Sequence, residues 1–161
     1  MVSLIVKVLT SVRFLTSLQV QANPWAAGTA LVLWSWSDSL FGTVGGITAF
    51  VVLVGSLVIH ELGHIALARA NNVPVKAIGF SPAGSYIRRE RAPSPLAELA
   101  ITLAGPAASV LLAIVFLSYS SATSHWLGRM NLVIAGSNLL PLKGCDGYRA
   151  LLAVRSILLR S

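Results

Sequence analysis

His60, Glu61 and His64 fall in the pattern His-Glu-x-x-His, at the end of an uncharged apolar run that begins at Val44. On a helix, residues four apart lie one above the other on one face, so the two imidazoles can grip a single zinc ion. Glu61, about 100° round the helix from His60, reaches a water held on that ion. A zinc hydrolase working in solution has no use for a membrane-length hydrophobic stretch beneath such a motif. In a span each ionisable group is costly and is functional by default, so the placement points to metal chemistry at membrane depth.

The elements that must position these groups follow from hydropathy. The chain has 161 residues, 55% hydrophobic and 11% charged, with a mean hydropathy of +0.78. That balance is far from a soluble globule and fits one membrane-embedded domain over residues 1–161. A helix crosses the hydrocarbon in about 20 apolar residues, and four segments approach this: 24–36, 44–70, 95–117 and 130–142. The third opens with Ser94 as N-cap, Pro95 at the first position and Glu98 in the first turn. The fourth holds Asn131, Asn138 and Pro141, which lipid tolerates only under cover of protein or a wet cavity. Residues 1–23 read as an interfacial segment, ambiguous between helix and strand. Residues 143–161 read as an Asp-Gly turn and an amphipathic helix on the inner membrane surface.

Charge orients the spans. With the N-terminus cytoplasmic, every one of the 12 Lys and Arg residues except Arg129 lies inside, as the positive-inside rule requires. Despite the net charge of +7, the basic residues form no patch interleaved with aromatics, which argues against nucleic acid. The lone Cys145 excludes an internal disulfide. In this orientation the second and fourth spans both descend to the cytoplasmic face, bringing Asp146 to the depth of His60 and His64.

Catalytic zinc takes three protein ligands and keeps a position for water. Besides Glu61 the chain offers Asp38, Glu90, Glu98 and Asp146. Asp38 is on the outer side, Glu90 sits in the solvated basic run Arg88-Arg89-Glu90-Arg91, and Glu98 reads as a helix-dipole residue. Asp146 is left as third ligand, against a reading as a turn residue before Gly147. Cys145 is either a buried bystander or a competing soft ligand. His125, beside Trp126 in the outer connection, reads as a surface residue.

His60-Glu61-Leu62-Gly63-His64, with Asn138-Leu139-Leu140-Pro141 and the following Asp146-Gly147, resembles the site-2 protease family of intramembrane zinc metalloproteases. That family pairs H-E-x-x-H with N-x-x-P-x-x-x-x-D-G, and Ala104-Gly105-Pro106 is similar to its intervening A-G-P element. The resemblance implies an all-α polytopic membrane protein of about four transmembrane helices with a short membrane-dipping β-hairpin, here Val75 to Ile87, on the cytoplasmic side. It implies one Zn2+ per chain on His60, His64 and Asp146, with Glu61 as general base on a zinc-bound water. Asn138 is the candidate for holding the substrate backbone or the oxyanion, against a bland role in kinking its span. The implied partners are the lipid bilayer and a transmembrane or membrane-anchored protein or peptide cut near the cytoplasmic face of a prokaryotic plasma membrane. The alternatives are a non-catalytic membrane binding protein that keeps fold and metal, and a metal carrier. Ser109, Gly84-Ser85 and Cys145 depart from the family pattern and bear on substrate fit. The expected form is a minimal one, without a PDZ or CBS domain.

Overall fold

The computed structural model describes residues 19–22, 25–81 and 84–159. In chain order these form β1 (Gln19–Ala22), α1 (Trp25–Ala70), β2 (Val75–Ser81), β3 (Gly84–Arg89), α2 (Pro95–Leu117), α3 (Ala122–Asn138) and α4 (Asp146–Leu158). The segment expected to be interfacial lies largely outside the described residues; its last part, β1, pairs in parallel with β2.

Among the described residues two helices are long and apolar enough to cross a membrane: Gly45–Ala70 within α1, with mean hydropathy 1.9, and α2, with mean hydropathy 2.3. The expectation of about four spans is therefore met by two of full length. The first expected span is helical, but it is the leading part of α1, separated from Gly45–Ala70 by a kink at Gly42, whose φ of 67° is non-helical. The fourth begins earlier than the expected Met130, because Ser121 caps α3 and accepts from the Ser124 amide at 3.0 Å. It also ends earlier, since Pro141 disfavours helical backbone at the residue before it. The resulting 17 residues rise only about 25 Å. The outward faces are apolar, with Val51 59%, Leu111 65% and Ile114 60% exposed, as suits helices bathed in lipid.

The foot of α1 is closed by a tight reversal. Asn72 takes φ 56°, the Asn72 amide donates to the Arg69 carbonyl, and the Val73 amide donates to that of Ala68 at 2.8 Å. This is the Schellman pattern, and the apolar pair it brings together, Ala68 and Val73, joins the core with Ile65, Val75, Ile87 and Ile101. The chain leaves the metal motif within two turns of His64 and enters the expected hairpin at once. β2 and β3 pair antiparallel, with Ile78 opposite Ile87 and Phe80 opposite Ser85. The sheet order β1-β2-β3 leaves one edge of β3 unpaired among the described residues.

At the start of α2 the structure corrects two readings. Glu98 is more than a dipole residue, and Arg89 is not a solvated loop charge. They form a two-pronged ion pair, with Arg89 Nη2 to Glu98 Oε1 at 2.7 Å and Nη1 to Oε2 at 2.8 Å. The Arg89 side chain is 5% exposed. Glu98 also accepts from the Ala92 amide at 3.0 Å, so this carboxylate ties the end of the hairpin to the first turn of α2. Glu90 pairs with Lys76 across the hairpin at 3.0 Å, where both side chains stay more than half exposed. The first pair is buried and doubly bonded, which stabilises; the second is screened and adds little.

Candidate metal centre

α1 places His60 and His64 one turn apart facing α2, and both are buried, as is Glu61. α4 begins at Asp146, whose carboxylate meets both rings. Its start is held in place by close approach: a side-chain carbon on Gly147 would run into the carbonyls of Leu139 and Leu140. Only glycine after the aspartate lets the helix start tuck under the end of α3. This is the physical content of the Asp-Gly pair.

His60 Nε2, His64 Nε2 and Asp146 Oδ2 converge, at 3.3 Å between the two nitrogens and 3.3 and 3.1 Å from each to the carboxylate. The tautomer of His64 is fixed from behind. Its Nδ1 lies 2.8 Å from the Ile101 carbonyl, which can only accept, so Nδ1 carries the proton and Nε2 presents a lone pair. His60 Nδ1 is 2.9 Å from the Ser109 hydroxyl, which accepts from it when the ring takes the same tautomer as His64. Two nitrogen lone pairs and a carboxylate oxygen then face one another, and they repel unless a cation sits among them.

The spacing fits zinc. Ligands about 2.0–2.1 Å from a tetrahedral ion lie about 3.3–3.4 Å apart, close to the three separations observed. A further feature keeps the space open. A side-chain carbon at Gly105 would fall on His64 Nε2 and against His60 Nε2, so the centre exists because α2 has no side chain there.

Glu61 does not join the three ligands. Its Oε1 accepts from the Ser85 hydroxyl at 2.7 Å, which points it into a small cavity of about 40 Å³ shared with His60, His64, Tyr86, Asn138 and Asp146. That volume holds a few waters and little else. Asn138 lines the cavity, although its amide nitrogen donates to its own helix, at the Ile134 carbonyl 2.9 Å away. Cys145 stands at the head of α4, partly buried and outside the cluster of ligand atoms.

Sequence reasoning missed Ser109 and Ser85 as parts of the centre. Both had been noticed as departures from a family pattern and assigned to substrate fit. In the structure Ser109 lies behind His60 and Ser85 donates to Glu61. Gly105, known from the sequence only as part of an A-G-P element, permits the close approach of the two imidazoles. Ser109 carried a signal of its own, a polar residue one helical turn after Gly105 in the mostly apolar later part of the helix.

Comparison with known proteins finds similarity to zinc metalloproteases. Residues 48–124 match peptidase family M50. The zinc metalloprotease MJ0392 of Methanocaldococcus jannaschii is 34% identical over 129 residues, which cover 74% of this chain and 37% of that protein. Rip3 of Mycobacterium tuberculosis is 33% identical over 150 residues, 78% of this chain and 38% of Rip3. The chain thus spans a little over a third of the length of these curated relatives. Among solved structures, the site-2 protease from Methanocaldococcus jannaschii superposes with a TM-score of 0.71 at 27% identity, covering 87% of this chain and 68% of that one.

Proposed function

The chain carries a peptidase family M50 domain of the site-2 protease type, and on that premise we propose that it is an intramembrane zinc endopeptidase. It hydrolyses a peptide bond of a transmembrane or membrane-anchored protein near the cytoplasmic face. The observation that carries this reading is the convergence of His60, His64 and Asp146 beside a buried carboxylate, Glu61, that is not itself a ligand. A protein that merely stores or carries metal needs no such base.

His60, His64 and Asp146 hold one zinc per chain. Bound there, zinc supplies Lewis acidity, lowering the pKa of water and polarising a carbonyl. The residues do the rest. Ser109 and the Ile101 carbonyl keep each imidazole turned with Nε2 inward. Glu61 takes a proton from the attacking water and returns it to the leaving amine, a role worth about 10²–10⁴-fold in rate. Ser85 holds Glu61 on the cavity side. Asn138, freed from its own helix, donates to the substrate backbone or the developing oxyanion. The unpaired edge of β3 receives the unwound substrate by strand addition, since a helix hides its own peptide bonds.

The topology we propose has four crossings, two by the full-length helices and two by the leading part of α1 and by α3, with both termini cytoplasmic. It rests on the distribution of basic residues and suits a prokaryotic plasma membrane. The decisive experiment measures zinc per chain and cleavage of a transmembrane peptide in wild type, Glu61→Gln and Asp146→Ala. One zinc per wild-type chain, weakened by the Asp146 change, is expected. The Glu61 variant should keep its zinc and lose cleavage. Cleavage surviving in Glu61→Gln would remove the general base from the reading, and a zinc-replete wild type with no proteolysis would favour a non-catalytic binding protein.

A further inference from the structure

Resting on the reading of the site as a protease, we propose a subsite for an acidic residue of the substrate, built by Arg91 and Arg149 in the cavity next to the metal pocket. This cavity, about 640 Å³, lies between the end of the hairpin, the start of α2 and α4. Three guanidinium groups and one carboxylate line it. Arg89 and Glu98 are spent on each other. Arg91 and Arg149 form no ion pair among the described residues; the Glu98 carboxylate also feels Arg149, and with three guanidinium groups against one carboxylate the cavity keeps a net charge of +2. Pro93, Pro95, Leu152 and Ala153 form its apolar walls, and low-dielectric walls concentrate the field of those charges.

Continuity with the metal pocket identifies the occupant as peptide. Arg89 and Arg149 line both cavities. β3 leads from one to the other: Ser85 at its start touches Glu61, and Arg89 at its end forms the shared wall. Those four steps of strand cover about 13 Å. A peptide laid along the free edge of β3, with its scissile bond near Glu61, therefore delivers its side chain three to five residues away into the basic cavity. A carboxylate there meets Arg149 and Arg91. A lipid phosphate shares this anionic chemistry, but nothing in its binding calls for a wall shared with the metal pocket.

The test uses the full-length protein in nanodiscs of zwitterionic lipid. The probes are fluorescent transmembrane peptides in which one Glu is moved along an otherwise uncharged flank, each with Gln and Lys counterparts, and both binding and cleavage are read. The Glu peptide at the matching position should bind and be cut about tenfold better than its Gln twin. Arg149→Glu and, separately, Arg91→Glu should shift the preference towards the Lys peptide. A damaged fold would lose all peptides alike, so an inverted order cannot come from misfolding. Equal handling of Glu and Gln at every position by the wild type overturns the subsite. So does a uniform loss in the Arg variants that appears only when anionic lipid is added, which would assign the cavity to a headgroup. A charge preference in binding with no cleavage would leave the subsite standing and sink the protease reading; cleavage without preference would do the reverse.

Discussion

The two long apolar helices, Gly45–Ala70 and Pro95–Leu117, differ little in hydropathy and do opposite work. The first carries the reactive side chains: two imidazoles and a carboxylate within five residues. The second gives the centre no ligand. It contributes the Ile101 carbonyl, the Ser109 hydroxyl and, at Gly105, the absence of a side chain. A metal site in a membrane thus needs a helix that provides donors and another that orients them and leaves room. The second helix can be indispensable to an ion it never touches, because a ring turned out of line no longer points its lone pair at the common centre.

The sharpest way to break this comparison is Gly105→Val. Its branched side chain would occupy the space of both Nε2 atoms, so zinc per chain should fall to near zero and proteolysis with it, while the helices stay assembled by circular dichroism. Full zinc occupancy in this variant would refute the spacer role of α2. Ser109→Ala should act more gently. Loss of the partner behind His60 is expected to weaken zinc by about 10–100-fold, read by competition with a chromophoric chelator; unchanged affinity would mean that helix packing alone orients the ring. The smallest effect belongs to Ser85→Ala, which leaves the metal alone and frees Glu61. Here kcat should fall by less than about tenfold with KM and zinc content unchanged, and Ser85→Thr should restore it. A rise in KM instead would place Ser85 in substrate binding.

How much of this was legible depended on the range of the interaction. The extents of the second and third spans were readable because length, apolarity and the cap at Ser94 are local properties, and the structure bears out the Ser94 cap on the Ala97 amide at 3.1 Å. The hairpin, expected from the family resemblance, is present as β2 and β3. The Arg89–Glu98 pair was not legible. It joins a strand end to a helix start, and in sequence each partner already had an adequate local explanation. Ser85 and Ser109 failed likewise: a hydroxyl has no periodic signature, and its role depends on which buried group it faces. The start of α3 was not legible, because the polar residues that follow its Ser121 cap interrupt the apolar run.

The sequence by itself determined the donor helix, since His60, Glu61 and His64 take their relative positions from the pitch of one α-helix and need no other part of the chain. The asymmetric placement of Lys and Arg likewise supports the cytoplasmic depth proposed for the site. Tertiary structure alone decided that Asp146 meets His60 across 86 residues and His64 across 82, which tautomer His64 holds, and that Gly105 is where the second helix yields. Local chain geometry fixes neighbours along a helix; only the packing of helices against one another brings a carboxylate, a carbonyl and an empty position to the same point.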